Sequence, residues 1–143
     1  MIWQLATISA LVAVCGYALI FGGTIERVGA AMMIAALALT SLVMNLFGSF
    51  YQTADIAIIL VDVSLLAGLI ALALLSDRSW PLWASGFHLV GTVTHMAILG
   101  NAVIAPIAYA HTLGLWYYLT LLSLLVGTIQ YHRATRAANQ GKP

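Results

Sequence analysis

Residues 55–75 read DIAIILVDVSLLAGLIALALL, and this stretch decides the fold class. It contains no proline, and beyond Asp55 at its first position Asp62 is its single charge. About 20 residues at 1.5 Å each cross a hydrocarbon core of ~30 Å. A membrane strand needs only about 9 to 11 residues and alternates in polarity, which this run does not. In lipid the backbone must also satisfy its own N–H and C=O groups, so the stretch is helical.

Working outward, four more apolar runs follow the same logic, giving spans at about 2–21, 28–47, 55–75, 83–104 and 113–131. The expected fold is therefore all-α, a polytopic membrane bundle of five transmembrane helices. One domain covers 1–131, and 132–143 form a short basic cytoplasmic tail. Composition agrees. Of 143 residues, 63% are hydrophobic and 6% charged, with a mean hydropathy of +1.04. A soluble domain carries about a quarter charged residues, so this chain cannot cover a water-facing surface. A net charge of +1 supplies no field to gather nucleic acid. The expected partners are the lipid bilayer and either a membrane-protein partner or a second copy of the chain.

The basic residues set an orientation. Arg27, Arg78, Arg133, Arg136 and Lys142 fall in the first loop, the third loop and the tail. The second and fourth loops hold no Lys or Arg. The positive-inside rule then puts the N-terminus outside and the C-terminus in the cytoplasm. The compact, Ala- and Leu-rich chain points to a bacterial inner membrane. Span one reads as an uncleaved helix, because Met1–Gln4 carries no basic side chain and no Ala-x-Ala site follows. Connections at 22–27, 48–54, 76–82 and 105–112 are short, which makes sequential helices antiparallel neighbours. Pro81 suits the first turn of span four with Asp77 or Ser79 as its cap, and Pro106 breaks the chain before span five. Trp116, Tyr117 and Tyr118 read as interfacial aromatics near the outer end of span five.

Few polar groups fall inside the spans. Asp62 lies seven positions into span three, and His95 nine positions before the end of span four. At 1.5 Å per residue both sit roughly 10 to 13 Å below the outer surface. The tight turn between these spans predicts that Asp62 and His95 face each other. The pair is a proton-accepting pair, a polar substrate contact or a static polar clamp between helices, and the clamp is the plainer reading. Asp55, seven residues before Asp62, shares its face and reads as a solvated acid near the helix start. Asn45 and Asn101 lie at a similar level and complete a possible polar mouth. His88 shares the protein-facing stripe of His95, with Gly91 and Thr92 between them.

Other chemistry is sparse. His88 and His95 are roughly 10 Å apart along one helix, so they cannot ligate one ion together. Haem would require cross pairs such as His95–His111 or His88–His132, which no spacing rule supports. No cofactor or metal is expected. Cys15 is a lone thiol, read as a small packing residue. Glu26-Arg27 and Asp77-Arg78 read as solvated loop charges. Nucleotide-binding, zinc-protease and nucleophile-elbow motifs do not occur. The leading expectation is a non-catalytic accessory or scaffolding subunit of a membrane complex. One alternative is a small proton-coupled transporter or channel built on Asp62 and His95. The other is a redox subunit binding haem or quinone near His88 and His95.

Overall fold

The computed structural model describes residues 2–47, 56–99 and 106–140. These form five α-helices and no strand: α1 Ile2–Phe21, α2 Thr24–Phe47, α3 Ile56–Leu75, α4 Trp80–Leu99 and α5 Pro106–Gln140. Two of them are long and apolar enough to cross a membrane, α2 over Thr24–Asn45 and α3 over Ile56–Leu75. The apolar part of α1, Leu5–Phe21, is shorter.

The helices contact one another in chain order, and α1 closes the ring against α5. A smaller contact between α2 and α5 crosses the middle. Every helix supplies the core: Leu11, Cys15 and Ala18 from α1, Ala30 and Met33 from α2, Leu69 from α3, Trp80 and Ala84 from α4, Leu121 and Leu124 from α5. Alanines and the fully buried Cys15 let backbones approach closely around the larger side chains. The inward hydroxyls need no cross-helix partner. Thr92, Thr120, Ser123 and Thr128 each donate to the carbonyl four residues back in their own helix.

Several boundaries differ from the sequence expectation. The first loop shrinks to Gly22 and Gly23, and Glu26 and Arg27 belong to the first turn of α2. The cause is local. Gly23 precedes the helix, and its N–H donates to the Glu26 carboxylate at 3.0 Å. That is the backward half of a capping box, which extends the helix toward its glycine. Helix α4 starts at Trp80, directly after Ser79, with Pro81 in its first turn. Pro106 is the first residue of α5 rather than a break ahead of a later start. Proline fits there because a first-turn residue has no intrahelical N–H bond to lose. The tail is also helical through Gln140. It continues a helix already nucleated and anchored by the core, so it avoids the nucleation cost that a separate short segment would face.

The end of the bundle holding the α1–α2 and α3–α4 turns, here called the lower end, is locked around Trp80. The Trp80 ring is buried, and its Nε1–H donates to Glu26 Oε1 at 3.2 Å. Arg78 Nε lies 3.9 Å from the same oxygen, and the Arg78 guanidinium sits 5.0 Å from the Tyr131 ring centre. A side chain at Gly29 or Gly127 would run into the Trp80 ring. Those glycines on α2 and α5 are the slots that receive the indole. Glu26 is 1% exposed. It is therefore a buried acceptor tying α2 to α4, not a solvated loop charge. Arg27 beside it is exposed.

Candidate functional site

Asp62 is six residues inside α3, about 9 Å along the helix axis from Ile56. His95 is four residues before the described end of α4. The antiparallel pairing of α3 and α4 brings them together, with His95 Nδ1 3.3 Å from Asp62 Oδ2. Both are about one-fifth exposed, so the contact lies within the bundle rather than on its rim. An ionised Asp62 can accept from a protonated Nδ1 of His95 across this contact.

His88, two helical turns below His95, joins the same group. Its Nε2–H donates to the Asp62 backbone carbonyl at 3.1 Å. Asp62 thus engages α4 twice, through its carboxylate and its carbonyl. Neighbouring hydroxyls on α3 and α4 are spent inside their own helices: Ser64 donates to the Leu60 carbonyl and Thr92 to that of His88. No hydroxyl therefore competes with the imidazoles for Asp62 among these bonds.

Asp62, His88 and His95 line a cavity of ≈ 170 Å³ together with Thr92, Trp116 and Tyr117. Gly91 adds no side chain, and the nearest atom to a Cβ built there is Trp116 Cβ at 3.7 Å. Two residues of this lining also carry polar atoms that are shut away from the cavity space itself. Trp116 Nε1 and the Tyr117 hydroxyl are buried without a hydrogen-bond partner among the described residues. A buried donor left unpaired costs about 1–3 kcal/mol, so such groups mark a place where a partner is wanted.

The remaining candidates distribute unevenly. Asn45 is exposed and donates to the Ser41 carbonyl at 2.9 Å in its own helix, so it is not drawn into a polar mouth. Asp55 and Asn101 lie outside the described residues, as does the side chain of His111. His132 packs edge-on against Phe21 at 5.0 Å. It stands 15 residues beyond Tyr117 on α5, or about 22 Å. His88 and His132 therefore cannot share an axial pair. Among the described residues no three His, Cys, Asp or Glu side chains cluster as metal ligands.

Trp116 and Tyr117 are the additions that the spacing of the spans concealed. Counted from residue 113 they belong to a boundary belt. Counted from Pro106 they lie about 15 Å into α5 and reach the Asp62 level. A proline opening a helix was the signal available for that register. The column of rings continues outward, with Trp116 6.4 Å from Phe87 and Phe87 6.5 Å from Trp83. Comparison with known proteins yields no matching family model, no matching curated relative and no matching solved structure.

Proposed function

We propose that this chain is a small five-span protein of the bacterial inner membrane that moves protons, alone or with a small solute, through an exchange site at Asp62 and His95. The observation that carries this reading is the 3.3 Å contact between these two side chains on the wall of a cavity that His88 also lines. A scaffolding subunit needs only a sealed interior, and a polar void beside an Asp–His pair adds nothing to such a role.

Membrane residence is supported by the two long apolar helices and by the outward faces of the bundle. Ile20, Ile56, Leu74 and Leu75 are all more than 60% exposed, a surface suited to lipid. The orientation follows the basic residues, with the N-terminus outside and Arg27, Arg78, Arg133 and Arg136 toward the cytoplasm. The lower end, with Glu26, Arg78 and Trp80, is then the cytoplasmic end.

Passing a proton between Asp62 and His95 converts an ionic pair to a neutral one with no change of net charge. In a low-dielectric interior, two separated charges cost several kcal/mol unless geometry and hydrogen bonds offset them. What enters the cavity therefore biases the pair, and a proton arriving on the pair biases what can enter. That reciprocity is the coupling a transporter requires. His88, bonded to the Asp62 carbonyl, is the next titratable group toward the cytoplasmic end.

The test is proton flux into proteoliposomes loaded with a pH-sensitive dye under an imposed potential. The native chain should acidify the lumen, while Asp62→Asn and His95→Ala should fall to the rate of empty vesicles with unchanged helical content. Native flux no greater than that of empty vesicles sinks the transport reading. A partner co-purifying in fixed stoichiometry from native membranes would then support the accessory role.

A further inference from the structure

The Asp62 cavity has a charge, a size and a lining that together select a class of solute. We propose that it binds a small quaternary ammonium ion, with the Asp62 carboxylate as counter-ion and carbon surface of Trp116 and Tyr117 against the methyl groups. The proposal rests on the reading of Asp62 and His95 as an exchange site, and it names the solute exchanged there.

Charge comes first. Asp62 is the one Asp or Glu in the lining, and the lining holds no Lys or Arg. The foot of α3 at Leu75 is about 20 Å along the helix from Asp62. Arg27, Arg78, Arg133 and Arg136 lie at or beyond that lower end, as does Glu26 on α2, the other helix packed on α3. The remaining titratable neighbours are His88 and His95 on α4 and Tyr117 on α5. With both imidazoles neutral, the cavity carries one net negative charge, which attracts a cation and repels an anion.

Size narrows the class. The cavity measures ≈ 170 Å³. A void of about 150 Å³ accepts benzene, a molecule of about six non-hydrogen atoms. Tetramethylammonium has one atom fewer. Drug-sized ligands need roughly 300 Å³ or more and are excluded.

The lining decides between cations. Trp116 Nε1 and the Tyr117 hydroxyl are shut away, so the side-chain surface that these two residues show to the void is carbon. Gly91 shows no side chain, and the Thr92 hydroxyl donates its hydrogen to the His88 carbonyl. The Asp62 carbonyl already accepts from His88. A metal ion stripped of water needs several oxygen or nitrogen ligands, and no such group of three side chains exists among the described residues. A primary ammonium brings three N–H donors to a carboxylate already shared with His95. A quaternary ammonium has no N–H to place. It spreads its charge over methyl groups, which suit carbon and aromatic surface beside one carboxylate.

The experiment titrates the purified full chain in detergent micelles with tetramethylammonium chloride at fixed ionic strength, followed by calorimetry. A pH of about 8 keeps an ordinary imidazole neutral. The expected result is saturable binding near one ion per chain. Asp62→Asn removes the counter-ion and should weaken affinity by about tenfold or more. Gly91→Leu keeps the carboxylate, fills the cavity and should abolish saturation. Helical content, measured alongside, verifies that both variants fold. On the native chain, tetrabutylammonium carries the same charge but exceeds the cavity and should not saturate. This size comparison decides the matter if a variant fails to fold. Heat that never saturates, or equal binding by the native chain and a folded Asp62→Asn, overturns the proposal. Tighter binding of tetrabutylammonium also overturns it, since that reports partition into the micelle. Saturable binding of acetate instead of the cation reverses the sign of the site and overturns it as well. The two readings fail separately: proton flux without cation binding removes the solute and leaves the proton path, and cation binding without flux does the reverse.

Discussion

Glu26 shows how burial changes the meaning of a charge. Beside Arg27 in the chain it reads as a loop residue, yet its carboxylate accepts from the Gly23 N–H and from Trp80 Nε1–H in the lower core. Trp80→Phe keeps most of the ring and removes that donor. It should cost about 1–3 kcal/mol, because a buried acceptor loses a partner. Thermal unfolding in detergent measures this, and Arg27→Ala, on an exposed side chain, should stay within about 0.5 kcal/mol of native. Equal effects for the two would mean that Glu26 is hydrated. The Asp62–His95 juxtaposition was legible from depth arithmetic, because the two residues lie at nearly equal distances from the turn that joins their antiparallel helices. Trp80 as the partner of Glu26 was not, since 54 residues separate them and only the folded bundle closes that distance.

Helix α5 is where register mattered most. Its start at Pro106 moves Trp116 and Tyr117 from a boundary belt to the Asp62 cavity, and its end at Gln140 turns most of the tail into about two and a half further helical turns. Apolar periodicity finds the middle of such a helix well. It finds the ends poorly, because polar residues beyond the core continue a helix at little cost. Residues 133–140 are exposed throughout. Ending the chain after His132 should therefore change unfolding stability by less than about 0.5 kcal/mol. A larger loss would show that these turns pack on something. Where α5 meets α4 the opposite holds. Gly127→Leu drives a side chain into the Trp80 ring and should destabilise by about 1–3 kcal/mol or more, by overpacking. Gly16→Ala on α1 faces open space and should be neutral or slightly stabilising. Parallel melting curves compare the two, and equal shifts would deny that Trp80 is held in a tight slot.

Taken as one object, the bundle is a ring of five helices tied at the lower end by Trp80 and hollowed near the other by the Asp62 cavity. Orientation is a property of this whole and is testable as one. Reporter fusions should place the N-terminus outside and the C-terminus in the cytoplasm, and a cytoplasmic N-terminus would reverse which side the cavity serves. Composition and the spacing of apolar runs were enough for the helical class, the antiparallel order and the meeting of Asp62 with His95. Each of these depends on residues close in sequence or on a period that every turn repeats. Closure of α1 on α5, the burial of Glu26, and the placing of Trp116 in the lining of both a polar cavity and an aromatic groove depend on how helices rotate about their axes. That rotation is set by steric fit among distant side chains, such as Trp80 in the slots of Gly29 and Gly127, and no local pattern in the chain encodes it.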